Sequence, residues 1–186
     1  MAYDLKNVFY LDTNATITAS TSNGGSAQLD LSAYIDPIAR GRQKGTGLAI
    51  YKVYYSMSDD ADSEPVKVNE AGIARVGMVA GAGLGDLATG AFAPSDSILR
   101  ADNALVVDLQ DYYGPASVPS GNAGMFTPLV EPSEKVPYVI VRDNVCLVYS
   151  LGADFTNGCD LSVRLECAQV TLDQATLNQL LRTQTV

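Results

Sequence analysis

The residues Gly83-Leu-Gly85-Asp-Leu-Ala88 have the spacing of a turn that could hold a phosphate group, and they follow the strand-like run 73–80. In dinucleotide-binding units such a turn presents backbone N–H groups to a pyrophosphate at the start of a helix, and a later acid such as Asp108 binds the ribose. Here Gly90 and Pro94 would break that helix within two turns, and no alternation of strands and helices surrounds it. We therefore interpret the motif as a Gly/Ala loop and predict no cofactor.

The acidic segment 59–64 could gather carboxylate oxygens around a calcium ion. It lacks the central glycine and the distant bidentate glutamate of a helix-loop-helix calcium site. A solvated turn between strands is the first interpretation. The second is a calcium ion shared between subunits, with Asp60, Asp62 and Glu64 as its ligands.

The basic cluster consists of Arg40, Arg42 and Lys44. These charges could contact phosphates, lipid headgroups or an acidic loop of a neighbouring molecule, or form a solvated loop. No aromatic residues that could stack on bases are interleaved with them. The formal net charge of the chain is −9, which also argues against wrapping nucleic acid, so we predict no sequence-specific nucleic-acid binding.

Groups suited to hydrolytic or metal chemistry are scarce. The chain has no histidine, the commonest general base and a common metal ligand, and no Gly-x-Ser-x-Gly turn. Its cysteines, Cys146, Cys159 and Cys167, include no Cys-x-x-Cys pair, and we expect them to be reduced. Scattered carboxylates leave glycoside cleavage open, but nothing selects a pair. We predict that the protein is not an enzyme and has no catalytic residues and no resident metal.

Composition indicates a globular fold, because 47% of the 186 residues are hydrophobic and 18% are charged. The length fits one domain over residues 1–186. No basic start followed by an apolar core marks a secretory signal, so we expect synthesis and use without export. The least charged stretch, 76–93, contains five glycines and has too few apolar residues to span a bilayer.

Alternating patterns predict mainly strands. Leu161, Val163 and Leu165 alternate with polar residues, which is typical of a strand with one wet face. Strands are predicted near 7–11, 15–20, 27–35, 47–57, 73–80, 104–109, 137–142, 145–151 and 160–171, with the last two forming a hairpin about Asn157-Gly158. A capping-box pattern beginning at Thr171 predicts a short terminal helix near 172–183, and the Gly/Pro-rich range 111–136 predicts a long loop.

About eight strands with a single short helix predict an all-β sandwich. A jelly roll is a common way of arranging that number of strands in two facing layers. The sequence leaves open whether the sandwich is a single jelly roll or another Greek-key arrangement.

The succession of four segments, 7–12, 47–58, 138–142 and 161–172, resembles single jelly-roll capsid proteins of tailless icosahedral viruses of archaea and bacteria. The resemblance covers most of the chain by size and strand order. It implies a structural capsid protein that self-assembles into an icosahedral shell enclosing a genome. It also implies a location in the virion, identical subunits as partners, and a second capsid protein or an internal membrane as further partners.

Contacts between subunits would then involve the N-terminal arm 1–7, the 111–136 loop and the terminal helix. Their candidate contact residues are Tyr112, Tyr113, Met125, Phe126, Leu177, Leu180 and Leu181, since aromatic residues and Met are enriched at buried interfaces. Ordinary packing within the chain is the alternative for each. A second functional hypothesis is a β-sandwich binding module, such as a phage tail, fibre or adhesion domain that recognises carbohydrate or protein.

Overall fold

The computed structural model describes residues 6–20, 24–36, 44–80, 98–118 and 124–184, without the side chains of residues 6 and 7. In these ranges the chain forms nine strands and one helix. The strands are β1 (Lys6–Ile17), β2 (Gly25–Asp30), β3 (Lys44–Asp59), β4 (Ile73–Ala80), β5 (Val106–Tyr113), β6 (Met125–Val130), β7 (Tyr138–Ile140), β8 (Asn144–Ala153) and β9 (Cys159–Asp173). The helix is α1 (Gln174–Thr183).

The strand order is that of a jelly roll. One sheet has the order β1-β9-β3-β7 and the other β2-β8-β4-β5-β6, with every pair antiparallel. Strand β6 is an addition to one edge. Without it, β1 pairs with β9, β2 with β8, β3 with β7, and β4 with β5. This nesting of antiparallel pairs over two sheets defines the jelly roll, and it confirms the all-β sandwich predicted from the sequence.

The predicted terminal hairpin is wrong. Strand β8 pairs with β2 and β4 in one sheet, whereas β9 pairs with β1 and β3 in the other. The Asn157-Gly158 turn therefore lies in a connection between the sheets. A turn signal predicts only that the chain reverses, and the alternation of β9 is compatible with either neighbour.

Three further sequence predictions differ from the structure in detail. The two strands predicted at 7–11 and 15–20 are the single strand β1. The range 111–136, predicted as a loop, includes the end of β5, a 3-10 turn at Pro115–Ser117 and the edge strand β6. Helix α1 forms as predicted, but its N-cap is Asp173, whose carboxylate accepts a hydrogen bond from Thr176 N at 2.7 Å, and Thr171 belongs to β9.

The main core lies between the sheets and is filled by alternate residues of the long strands, including Ile50, Met78, Leu147 and Leu165. Two smaller apolar clusters lie on the outer faces. Residues 98–106 cover one half of the five-stranded sheet. Helix α1 covers one half of the four-stranded sheet, with Leu177 fully buried against Tyr51 and Val170.

No helix in the described part of the chain combines the length and apolarity needed to cross a bilayer.

Candidate functional site

The half of the four-stranded sheet that α1 leaves uncovered carries an exposed surface of three adjacent strands. The register aligns Tyr10 with Glu166 and Lys52, Asp12 with Arg164 and Tyr54, and Asn14 with Ser162 and Ser56. Inward residues such as Val53, Val163 and Leu165 belong to the core, so the residues between them must face outward. We call these nine outward residues the outer platform: Tyr10, Asp12, Asn14, Lys52, Tyr54, Ser56, Ser162, Arg164 and Glu166.

Two tyrosines dominate the outer platform. Tyr10 is 56% exposed and Tyr54 is 41% exposed. The Arg164 guanidinium lies 5.9 Å from the centroid of the Tyr10 ring, and the Lys52 ammonium lies 4.8 Å from the centroid of the Tyr54 ring. Such cation–π contacts hold the long side chains against the rings.

On the outer platform, Tyr54 is held by a hydrogen bond, whereas Arg164 has no salt bridge to a described residue. The Tyr54 hydroxyl donates to Glu166 Oε2 at 3.0 Å, and this bond raises the pKa of Tyr54. No carboxylate among the described residues forms a salt bridge with Arg164. A concavity of about 890 Å³ opens over Tyr10, Asp12, Tyr54 and Arg164. The outer platform thus offers aromatic surface beside a guanidinium that has no salt-bridge partner in the described part of the chain.

Glu70 forms hydrogen bonds with the connections between strands at one end of the sandwich. Its side chain is fully buried, and its carboxylate accepts hydrogen bonds of 3.0 Å from the backbone N–H groups of Gly72, Thr156 and Asn157. Burial alone would raise the pKa of Glu70, but these donors outweigh it and hold the pKa below its usual value. The Glu70 carbonyl also accepts from Ala116 N at 2.8 Å, so three connections meet here.

Asp108 is a second buried acid, and it lacks such donors. It lies within β5, opposite Met78, and neither of its carboxyl oxygens has a hydrogen-bond partner among the described residues. Burial raises its pKa to about 7, an effect that the nearby Tyr55 hydroxyl and Gln110 oppose and the charge of Glu131 reinforces. Tyr55 and Gln110 are close enough to favour the ionised form, but neither reaches hydrogen-bond geometry.

Burial within the chain removes two of the predicted contact residues from the surface. Tyr112 is 3% exposed and packs against Phe126 and Phe155, and Leu177 is fully buried under α1. In this conformation neither can touch a second subunit, which corrects the prediction for both.

The other predicted contact residues retain accessible surface. Met125 is 48% exposed. Tyr113 and Phe126 are half-buried, as are Leu180 and Leu181, which pack against the cluster beneath α1. Their role in contacts between subunits remains a prediction.

The acidic loop forms a hydrogen-bonded turn. Asp59 Oδ1 accepts from Ala61 N at 3.1 Å, Asp62 Oδ1 accepts from Glu64 N at 3.2 Å, and Lys67 Nζ lies 3.2 Å from Asp59 Oδ2. Asp60, Asp62 and Glu64 are exposed. In the portion of the chain that is described, no group of three or more Cys, Asp or Glu side chains could hold a metal ion. A calcium ion completed by a second subunit stays a prediction.

Two of the motifs discussed above fall outside the described residues. These are the glycine motif 83–88 and two members of the basic cluster, Arg40 and Arg42, while Lys44 opens β3 and is exposed. The three cysteines are buried and form no disulfide. Burial raises the pKa of Cys146 to about 11 and that of Cys159 and Cys167 to about 12, so their thiols are poor nucleophiles at neutral pH.

Sequence reasoning did not single out the outer platform. A usable signal was present, because Tyr54 and Tyr55 are adjacent on one strand and must point to opposite faces. Tyr10 and Arg164 likewise share the wet face of their strands. Nothing in the sequence indicated that α1 would stop short of them.

Solved structures that resemble the chain include capsid proteins. The VP1 pentamer of Human Polyomavirus 7 aligns at 12% identity, with a TM-score of 0.41, over 88% of this chain and 96% of that one. VP1 of trichodysplasia spinulosa-associated polyomavirus, in complex with sialylated glycooligomers, aligns at 9% identity, with a TM-score of 0.43, over 92% of this chain and 100% of that one. Turnip yellow mosaic virus aligns at 8% identity, with a TM-score of 0.25, over 90% and 93% of the two chains.

No family model matches the chain, and neither does any curated protein. The jelly-roll assignment rests on the strand order of this chain and is independent of the likenesses above. None of the solved structures named here comes from a virus of archaea or bacteria, so the narrower resemblance stays an expectation.

Proposed function

We propose that the protein is a structural capsid subunit that self-assembles into an icosahedral shell enclosing a genome. The observation that carries the proposal is a complete jelly-roll strand order combined with an outer platform that no described residue of the chain covers. Viral capsid domains, lectin domains and cupins are established uses of this fold. Because fold alone does not determine function, the choice among them depends on the surface.

The two tyrosines and Arg164 of the outer platform are residue types enriched at protein–protein contacts. Tyr and Arg are the residue types that contribute most at the centres of interfaces, and Val8, beside the outer platform on β1, is 52% exposed. Apolar surface buried between copies contributes about 25 cal/mol per Å² before the entropic costs of association are subtracted. Repetition of modest contacts over a closed shell makes the assembly strong even though each is weak.

The chemistry of the chain supports a structural role over an enzymatic one. Cupin-type metal chemistry depends on imidazole ligands, and the sequence contains no histidine. The buried thiols are not activated, and the buried Glu70 carboxylate is fully occupied by backbone donors. On this proposal the protein resides in the virion, is made in the host cytoplasm, and has identical subunits as its main partners, with a second capsid protein or an internal membrane as further ones.

Mass photometry of the purified chain across concentration tests the proposal. We expect large particles of discrete mass for the unaltered chain and their loss in Arg164→Gln, since this substitution removes from the outer platform a guanidinium that no described carboxylate pairs with. The matched control is Arg100→Gln, whose side chain is exposed and paired with Asp102 away from the outer platform. Monomers alone at every concentration would refute self-assembly. Equal loss of particles in both variants would show that the outer platform is not a specific contact between copies.

A binding module for carbohydrate or protein is the second candidate. The observation that favours it is the concavity of about 890 Å³ over Tyr10, Tyr54 and Arg164, because ligand sites combine aromatic surface with a few convergent polar groups. A glycan array probed with the monomeric chain distinguishes the two. Saturable binding lost in Tyr10→Ala, without large particles, would favour the module.

A further inference from the structure

The middle of strand β3 has an unfilled edge, meaning an edge that no strand of the described residues pairs with on the side away from β9. The segment 131–134 shares a concavity with Tyr51, Lys52 and Tyr54 at the start of this edge. On the side away from β9, residues Leu48–Ile50 pair with β7, and Ser58 forms an isolated bridge with Pro65. Between them, no strand among the described residues pairs with residues 51–57 on this side. Unpaired N–H and C=O groups along such an edge form a template for an added strand.

A groove with several apolar side chains in its lining runs beside the unfilled edge. Its volume is about 390 Å³, and its apolar lining includes Met57, Pro65, Val66, Val68, Pro115 and Phe126. Val68 is 72% exposed. The groove lies between β3 of one sheet and β6 of the other, where the Tyr55 and Phe126 rings stack at 5.8 Å. An added strand would therefore place every second side chain in the groove.

We propose that residues 1–5 of a second copy bind this edge as an added strand. This inference rests on the proposed function, because it names the contact through which copies associate. In the sequence Met1-Ala-Tyr3-Asp-Leu5 the large apolar residues alternate with small or polar ones. Extended against β3, Met1, Tyr3 and Leu5 would share the face that meets the groove, and Ala2 and Asp4 would face water.

The strand register excludes the arm of the same molecule. Lys6 aligns with Gln169, and Gln169 aligns with Leu48, so β1 and β3 run parallel with β9 between them. Lys6 therefore lies in the row of Leu48, and β1 runs from there in the same direction as residues 51–57. Measured from Lys6, Tyr54 lies about 20 Å away along the strand direction and about 10 Å away across the sheet, which is two strand spacings. Five extended residues span at most about 17 Å, which leaves the edge to a second copy.

The first experiment changes the arm in the full chain. Tyr3→Asp combined with Leu5→Asp places charges against the groove, and we expect particle formation in mass photometry to fall at least tenfold with an unchanged melting temperature. Ala2→Asp, on the opposite face of the arm, is the matched control and should assemble normally. Normal assembly of the Tyr3→Asp/Leu5→Asp chain, or equal loss in both variants, would overturn the inference while leaving self-assembly intact.

The second experiment measures binding directly and does not depend on shells forming. A fluorescent peptide with the sequence of residues 1–6 is titrated with the Tyr3→Asp/Leu5→Asp chain, whose own arms cannot compete. We expect a saturable rise in anisotropy that Val68→Glu weakens at least tenfold. Val136→Glu is the control, because Val136 is 74% exposed and does not line the groove.

The two experiments separate the failure of each idea. Absence of peptide binding, or equal weakening by Val68→Glu and Val136→Glu, overturns the strand addition. If the unaltered chain never forms particles, the proposed shell fails, and the peptide titration alone decides whether the edge accepts the arm.

Discussion

Asp108 makes the fold sensitive to pH at the scale of a single residue. Its pKa is about 7 in the folded protein and 3.8 in the ordinary environment of an unfolded chain. The folded state therefore binds the proton more tightly. The contribution of Asp108 to the free energy of unfolding is greatest below pH 3.8, falls as the pH rises to about 7, and is level above it.

Asp108→Asn should remove this dependence. We expect the free energy of unfolding of the variant, relative to the unaltered chain, to increase by about 2 kcal/mol between pH 5 and pH 8. Urea denaturation at each pH measures it, with Asp143→Asn, an exposed acid, as the control. Parallel curves for Asp108→Asn and the unaltered chain would show that Asp108 does not titrate in this range and would contradict a folded-state pKa of about 7.

Glu70 should respond in the opposite sense. Its pKa is lowered, so its stabilising contribution is present above pH 4.5 and is lost as the pH falls through the folded-state pKa. Glu70→Gln keeps the shape but sets an amide NH₂ against backbone N–H donors and removes the charge they bind. We expect a loss of about 2–4 kcal/mol in urea denaturation at pH 7. Glu64→Gln, an exposed acid in the same connection, should change stability by less than about 0.5 kcal/mol.

At the scale of elements, the end of α1 closes the outer edge of the four-stranded sheet. The side chain of Gln184 accepts from Val141 N at 3.1 Å and donates to the Val139 carbonyl at 2.6 Å, as a paired strand would. The same residue's carbonyl accepts from Arg142 Nε at 2.8 Å. This protects β7 from pairing with other molecules.

Gln184→Ala should open that edge. We expect the free energy of unfolding to fall by about 1–3 kcal/mol, because two buried backbone groups lose their partners, and amide hydrogen exchange at Val141 to accelerate. Gln174→Ala, whose side chain makes only an exposed bond to Asn178, is the matched control. Unchanged exchange at Val141 would mean that water replaces the glutamine at no cost.

The strands were largely predictable because their sequence signals are local. Alternation marks β9, continuous apolar runs mark β4 and β8, and a long run rich in aromatic residues marks β3, and the structure places a strand at each. Strand β6 was missed because Pro128 reads as a breaker, although an edge strand tolerates proline on its unpaired side. Pairing between strands was less predictable. The Asn157-Gly158 turn looks like a hairpin, yet the chain crosses between the sheets there, since pairing depends on the whole wrapping.

The candidate site was less predictable than the strands. Glu70 looks like any acid in a polar loop, and its burial depends on Thr156 and Asn157, which are distant in sequence. Asp108 interrupts an apolar run, but its inward direction depends on the register with Met78. The exposure of Tyr10 and Tyr54 depends on where α1 ends on the sheet. Each of these is a tertiary property that spacing along the chain does not encode.

The molecule as a whole is a jelly roll, and we propose that two of its surfaces, the outer platform and the unfilled edge of β3, contact other copies. Cryo-electron microscopy of the concentrated chain tests this most directly. We predict closed shells in which each subunit has the β1-β9-β3-β7 and β2-β8-β4-β5-β6 sheets, with Tyr10, Tyr54 and Arg164 covered by a neighbouring subunit. Dispersed monomers under all conditions, or shells in which the outer platform stays bare, would contradict it.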